Sequence, residues 1–346
     1  MAEAAIETPS SRDRIWAEIV ELGLEPYIEF LDENGYVVIP PEIAMPEGLA
    51  DRMIKACLDV AERRNGERPD FEGGSTHASM APYESGFDSF RTRRDRKLKL
   101  GLDKATAYED DSPHGDLMNS ILFEDEVFEE GLMNPVLLAI ATYLCGYSAT
   151  LSSMGCWMRG PNRSTFNLHT DMSVADELLT PHALVCQCTY VLTDFDRENG
   201  STAVVPGSHK LCRQPVGDEC IVPANPGDFG NPDVVPVEAK AGSILVWHGN
   251  TWHGAYNRRA SGLRVSVANY MARDFMRTQE DLRDIIPREM LDRHPPRFGI
   301  LTQQGVAAGY RNQDDGWAKD ARAEKHNAAY AKASGQRFRA KDGVYN

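Results

Sequence analysis

The feature that most limits the fold of this chain is a change of hydrophobic pattern at residue 149. From there to residue 272, short segments rich in apolar, β-branched and aromatic residues follow one another, as strands do. Turn-forming sequences separate them, such as Glu198-Asn199-Gly200 and Pro206-Gly207-Ser208. The predicted strands are residues 149–158, 164–170, 184–193, 201–205, 234–238, 243–248 and 263–272. Short strands broken by turns predict an antiparallel sandwich or barrel.

The chain before residue 149 has a mainly helical pattern, interrupted by one short strand at 36–40. Apolar residues recur at helical spacing in five segments, which are residues 12–22, 25–34, 48–64, 116–128 and 133–144. After residue 278 helical and loop segments return, including an alanine- and lysine-rich surface helix at 317–333.

No linker or internal repeat divides the chain. We therefore expect one domain over residues 1–346, built from three parts. These are a helical N-terminal layer at about 12–148, a β core at 149–275 and a C-terminal helical extension at 276–346. The overall class is α+β, with β structure dominating the core.

Composition limits the partners and the compartment. The formal net charge of −15 disfavours nucleic acid and anionic membranes as general partners. The chain has 7 cysteines and no Cys-x-x-Cys pair, which predicts reduced thiols in a cytoplasmic protein. Residues 1–11 lack the apolar stretch of a secretory signal, and no uncharged apolar run is long enough to span a bilayer.

The segment Asn167-Leu168-His169-Thr170-Asp171 carries the clearest chemical signal. In an extended strand, residues i and i+2 point to the same side, so His169 and Asp171 converge. One nitrogen and one oxygen donor suit a divalent first-row metal and require a third ligand. His253 is the candidate, with His248 as its main rival. Two histidines and one carboxylate form the facial triad of non-haem Fe(II) oxygenases.

Two further polar residues lie on one side of the last predicted strand. Arg264 and Ser266 alternate with apolar residues, so they share a face. A guanidinium offers a planar pair of donors to a carboxylate, and the serine hydroxyl adds another donor. Asn167 shares the face of His169 and Asp171, which makes it a candidate cofactor contact.

The order of these motifs resembles the phytanoyl-CoA dioxygenase family of Fe(II)/2-oxoglutarate oxygenases. The His169/Asp171 pair is followed by an Asn-Gly turn, Pro206-Gly207-Ser208-His209, the distal His253-Gly254 and Arg264. The early segment 33–40, Glu-Asn-Gly-Tyr-Val-Val-Ile-Pro, is also similar to the opening strand of that family. The resemblance covers residues 25–275 in patches and is strongest from 167 to 270.

This resemblance implies a double-stranded β-helix, a cupin-like form of jelly roll. It implies that His169, Asp171 and His253 bind iron and that Arg264 pairs with the distal carboxylate of 2-oxoglutarate. The implied reaction consumes O2 and 2-oxoglutarate, releases succinate and CO2, and hydroxylates a small molecule. Halogenating relatives replace the carboxylate ligand with a small residue, so the presence of Asp171 predicts an oxygenase.

The sequence leaves several alternatives open. A zinc-dependent or non-catalytic cupin-like protein would share much of the pattern. The expected substrate is a medium-sized, partly apolar metabolite, lipid-derived or a natural product, with a small amino-acid-like compound as the second choice. Loop 65–89 is either a substrate lid or a plain insertion, and the basic run 91–99 is either a solvated face or a docking patch. The C-terminal extension either covers the barrel or builds a homodimer.

Overall fold

The computed structural model describes residues 11–76, 116–161, 165–172, 179–220 and 229–304. Three sequence predictions therefore lie outside the described residues. They concern most of loop 65–89, the basic run 91–99 and the helix at 317–333.

Two antiparallel sheets form the core of the described chain. Their strands are β1 (Tyr36–Ile39), β2 (Asp116–Asn119), β3 (Thr150–Arg159), β4 (Phe166–His169), β5 (Val185–Val191), β6 (Thr202–Val204), β7 (Val235–Pro236), β8 (Ile244–His248), β9 (His253–Ala255) and β10 (Arg264–Ala272). The larger sheet has the order β1-β8-β5-β10-β3-β2, and the smaller has the order β4-β9-β6-β7. From β3 to β10 the chain passes back and forth between the two sheets, which is the path of a jelly roll. The predicted fold class is confirmed.

Alternate residues along the strands of the larger sheet point to its two faces, and the two faces contact different parts of the protein. Val246 of β8 and Val267 of β10 are fully or almost fully buried in the main core, which they share with the helices. Leu245 and Trp247 of β8 point the other way and pack with Val204 of the smaller sheet. The helices thus cover the outer face of the larger sheet, while its inner face lines the space between the sheets.

The helices are α1 (Ser11–Glu21), α2 (Glu25–Asn34), α3 (Pro41–Ala44), α4 (Leu49–Asn65), α5 (Glu126–Leu132), α6 (Pro135–Cys145), α7 (Leu282–Ile285), α8 (Arg288–Asp292) and α9 (Pro296–Leu301). Helix α6 begins where the Asn134 side chain accepts a hydrogen bond from the amide of Val136, with Pro135 in the first turn. Its apolar residues are buried in the main core.

No single helix among the described residues has the length and apolarity needed to cross a membrane. Helices α5 and α6 pass that test only when taken together, and the pair is bent by 50°.

The prediction of one helix over residues 116–128 is wrong for most of its length. Asp116–Asn119 is the edge strand β2, with alternate residues buried, and it pairs with β3. A short 3-10 turn follows at Ile121–Phe123, and α5 begins only after Asp125, whose side chain caps it. Four residues are too few to show a period, so the apolar residues on either side suggested one helix. The N-terminal layer is therefore not purely helical, because β1 and β2 form the edges of the larger sheet.

Candidate active site

The pairing of β4 with β9 brings the two candidate histidine ligands together. His169 lies directly opposite His253 in the antiparallel register. Asp171 follows β4 and completes a group whose nitrogen and oxygen ligand atoms all lie within 4.8 Å of one another. Gly254 permits this close approach, because a Cβ at this position would lie 2.2 Å from the carbonyl oxygen of Phe166. Residues 84 positions apart along the chain thus converge on one point.

The hydrogen bonds of both histidines leave one ring nitrogen available to a metal. The Nδ1 of His169 lies 2.9 Å from the Asn167 carbonyl, and the Nδ1 of His253 lies 2.9 Å from the Thr251 carbonyl. A carbonyl only accepts, so each Nδ1 carries the proton and each Nε2 keeps its lone pair. The Nε2 of His253 lies 3.5 Å from Oδ1 of Asp171. This arrangement fits a divalent metal held by two neutral imidazoles and one carboxylate.

Burial sets the protonation of the same three groups. It lowers the pKa of His169 to about 4, with a further contribution from His253, and it lowers the pKa of His253 to about 4. Both rings are therefore neutral at pH 7, the form that binds metal. Burial also raises the pKa of Asp171 to about 6, against the opposing effects of His169 and the Trp247 hydrogen bond. A bound cation would favour the ionised carboxylate.

Two aromatic residues of the larger sheet hold Asp171 in place. The Nε1 of Trp247 donates to Oδ2 of Asp171 at 2.8 Å. The hydroxyl of Tyr270 donates to the backbone carbonyl of Asp171 at 3.0 Å. No pattern in the sequence indicates these roles, because residues on β8 and β10 meet Asp171 only through the packing of the two sheets.

Arg264 and Ser266 share the inner face of β10, as predicted from their alternation, and both are buried. The guanidinium of Arg264 donates to the Gly200 carbonyl and lies 4.9 Å from the ring centroid of Phe195. Burial, followed by repulsion from Arg258, lowers the pKa of Arg264 to about 9, so it stays charged at pH 7.

The Nε of Arg264 is buried without a hydrogen-bond partner among the described residues. No carboxylate of the described chain forms an ion pair with this guanidinium. A buried cation with an unused donor suits the carboxylate of a small ligand.

The remaining predicted residues fall in different positions. The side chain of Asn167 is exposed, and its observed contact with the site is the carbonyl that accepts from His169. His248, the rival ligand, lies opposite Cys186, which belongs to the helix-covered core. Because His248 follows Trp247 in β8, it faces away from the site, and it is not part of the metal-ligand group.

The inner face of the larger sheet forms a partly exposed wall that includes Tyr270, a residue in contact with Asp171. Trp157, Gln187 and Tyr270 are only partly buried, in strands that are otherwise almost wholly buried. Gln187 is paired with both Trp247 and Tyr270. The Oε1 of Gln187 and the hydroxyl of Thr189 are buried without partners among the described residues. The alternation of Gln187 and Thr189 with cysteines in β5 was a visible signal of this polar wall.

Parts of several curated proteins are similar in sequence to this chain. Dioxygenase af480 of Aspergillus fumigatus is 27% identical to this chain over 178 residues, which is 51% of this chain and 55% of that protein. Dioxygenase FUM3 of Gibberella moniliformis is 26% identical over 48% of this chain and 54% of its own length. The chain thus spans about half the length of the curated relatives it matches.

Among solved structures, similarity extends to the non-haem α-ketoglutarate-dependent carbocyclase SnoK from nogalamycin biosynthesis. It covers 72% of this chain and 84% of that chain, with 18% identity and a TM-score of 0.48.

The family model for phytanoyl-CoA dioxygenase (PhyH) matches residues 31–266. That range takes in well over half of the chain, from the last turn of α2 to the third residue of β10. It includes His169, Asp171, His253 and Arg264. The chain therefore belongs to the phytanoyl-CoA dioxygenase family.

Proposed function

We propose that this protein is a non-haem Fe(II)- and 2-oxoglutarate-dependent dioxygenase. The observation that carries the proposal is the convergence of His169, Asp171 and His253, with ligand atoms within 4.8 Å of one another. Both histidines donate through Nδ1 to backbone carbonyls, which directs each Nε2 toward the same point. Family membership supports the same reaction class.

Different residues of the site would bind the metal and the cosubstrate. His169, Asp171 and His253 would hold Fe(II), leaving positions open for the cosubstrate and O2. Arg264 and Ser266 would bind the distal carboxylate of 2-oxoglutarate through the buried donors of the guanidinium and the hydroxyl. Iron with 2-oxoglutarate and O2 supplies the oxidative chemistry, with succinate and CO2 as the products released beside the hydroxylated substrate.

The proposed substrate is a medium-sized, partly apolar small molecule, lipid-derived or a natural product. The partly exposed faces of Trp157 and Tyr270 offer apolar area to such a molecule, and Gln187, opposite Tyr270 on β5, offers a polar contact.

The test of the metal and cosubstrate assignment is an anaerobic titration of the metal-free protein with Fe(II) and then 2-oxoglutarate. We expect the weak visible charge-transfer band of the chelate in wild type, its loss in His169→Ala and its retention in His182→Ala, a control at an exposed histidine. Tight zinc binding with no effect of 2-oxoglutarate would overturn the oxygenase and favour the zinc-dependent cupin-like protein.

The test of the substrate class is a screen for succinate released in excess of the substrate-free background. We expect turnover with partly apolar compounds and none with free amino acids. Replacement of Trp157 by alanine should raise KM for such a compound while leaving the 2-oxoglutarate band intact. Turnover confined to amino acids would contradict the proposed class.

A further inference from the structure

The two carboxylate oxygens of Asp171 have different surroundings. Oδ1 lies 3.5 Å from Nε2 of His253 and so faces the other candidate ligands. Oδ2 accepts a hydrogen bond from the indole nitrogen of Trp247 at 2.8 Å. An indole N–H is a donor and never a metal ligand, so this contact directs Oδ2 away from the metal without competing for it.

Trp247 is itself held rigidly. Its side chain is only 6% exposed, and its ring centroid lies 4.8 Å from that of His253. Its strand, β8, is hydrogen-bonded on both sides, so that Trp247 is paired with Tyr36 on one side and Gln187 on the other. A side chain packed in this way cannot follow the carboxylate if it rotates, so the hydrogen bond fixes the rotation of Asp171.

The backbone of Asp171 is fixed as well. Its amide donates to the Gly249 carbonyl at 2.9 Å, and its carbonyl accepts from the Tyr270 hydroxyl at 3.0 Å. Gly249 follows β8 directly and Tyr270 lies in β10, so the larger sheet contacts Asp171 at its amide, its carbonyl and Oδ2. Asp171 follows β4 of the smaller sheet, and these three bonds therefore set how the two halves of the site meet.

We propose that Trp247 is a positioning residue that makes Asp171 a one-oxygen ligand, with Tyr270 fixing the backbone beneath it. This inference rests on the proposed function, because it concerns the same metal centre. With Oδ2 engaged by the indole, Asp171 binds through Oδ1 alone. A two-oxygen carboxylate would occupy an additional coordination position, and Trp247 thereby keeps that position open for the cosubstrate or O2.

The decisive variant is Trp247→Phe, which keeps aromatic bulk and removes the donor. The matched control is Trp252→Phe. Trp252 is buried to a similar degree, and its indole nitrogen also donates to an oxygen, the Arg213 carbonyl at 2.9 Å. Both variants lose one indole hydrogen bond, but only the first loses the bond to the candidate ligand.

We expect Trp247→Phe to weaken Fe(II) binding by about 10- to 100-fold, as loss of a partner of a metal ligand commonly does. We also expect it to shift the charge-transfer band formed with 2-oxoglutarate. Trp252→Phe should keep the wild-type metal affinity and band. If Trp247→Phe binds Fe(II) as tightly as wild type and gives an unshifted band, while wild type forms the band, this inference is wrong and the proposed function stands. No band in wild type would overturn the proposed function and this inference together.

A second measurement needs no variant and so does not depend on its folding. Infrared difference spectra of protein with 13C-labelled aspartate carboxyls, taken with and without Fe(II), report how the carboxylate binds. We expect the wide separation of the symmetric and antisymmetric stretches that marks one-oxygen coordination. The narrow separation of a two-oxygen carboxylate would overturn the role given to Trp247.

Discussion

The imidazole rings of His169 and His253 lie opposite each other on β4 and β9, with their centroids 4.3 Å apart. The two strands belong to the smaller sheet, whose backbones approach closely at Gly254. The geometry of the candidate metal centre therefore depends on a glycine as well as on the ligands themselves.

Replacement of Gly254 by alanine should damage the metal site without removing a ligand. The added methyl group would lie 2.2 Å from the Phe166 carbonyl oxygen, so β9 must move away from β4. We expect a loss of about 1–3 kcal/mol in the free energy of unfolding, the usual cost of overpacking, with Fe(II) affinity lowered at least tenfold. Denaturant titration and anaerobic metal titration measure the two effects.

The control for this variant is Ala255→Ser, which enlarges the next, partly exposed residue of the same strand. Ala255→Ser should leave both the free energy of unfolding and the Fe(II) affinity close to the wild-type values. Wild-type metal affinity in Gly254→Ala would contradict the dependence of the site on this strand contact.

The two histidines near the end of β8 should respond differently to substitution. His253→Gln should abolish the charge-transfer band, because it removes a ring nitrogen directed at the other ligands. His248→Gln should keep the band and lower only the stability, because His248 faces the helix-covered core and its Nδ1 accepts from the Asn250 amide at 3.0 Å. Loss of the band in His248→Gln with retention in His253→Gln would reverse the assignment.

This pair of histidines shows how much of the site can be predicted from the sequence. In the sequence, only motif order and the resemblance to a family favour His253 over His248, since both follow the same apolar run. The structure adds a physical reason, because alternation along β8 places Trp247 toward the site and His248 away from it. Short segments carry too little periodicity for such a distinction, and β9, only three residues long, was not predicted at all.

Other parts of the site were beyond sequence reasoning for a different reason. Arg264 and Ser266 lie within one strand, so their shared face follows from alternation alone. The contacts of Asp171 with Trp247 and Tyr270 join three segments that are distant in the chain. Their proximity follows from the order of strands in the larger sheet, which hydrophobic pattern does not specify.

The binding of 2-oxoglutarate should depend on the guanidinium of Arg264 more than on the hydroxyl of Ser266. A charge-assisted, two-point contact contributes roughly 1.5–3 kcal/mol, so Arg264→Ala should weaken binding by about 10- to 100-fold. Ser266→Ala removes one neutral donor and should cost about fivefold, which corresponds to about 1 kcal/mol. Arg264→Lys keeps the charge but loses the planar pair of donors, so its loss of 2-oxoglutarate affinity should lie between those of Arg264→Ala and Ser266→Ala.

The dissociation constant of 2-oxoglutarate, read from the anaerobic charge-transfer band, ranks these variants without a known substrate. Fe(II) affinity in the absence of 2-oxoglutarate serves as the control and should not change. Unchanged 2-oxoglutarate affinity in all three variants would show that the distal carboxylate binds elsewhere.

A buried glutamate outside the active site should make stability depend on pH. Glu280 is 4% exposed, and its Oε1 accepts from the amide of Ser120 at 2.8 Å. Burial raises its pKa from 4.5 to about 7 against the opposing hydrogen bonds. The folded chain then holds this proton more tightly than the unfolded chain, so stability is greatest below pH 4.5 and falls as the pH rises to 7.

The loss attributable to Glu280 over this interval should be about 3 kcal/mol at most. In Glu280→Gln the group no longer titrates, so the free energy of unfolding of the metal-free protein should fall less between pH 5 and pH 8 than in wild type. Asp171 is present in both proteins, and its contribution cancels in the comparison. The control Asp218→Asn, at an exposed carboxylate, should keep the wild-type dependence. Parallel stability curves for wild type and Glu280→Gln would show that Glu280 is ionised in the folded protein throughout this range.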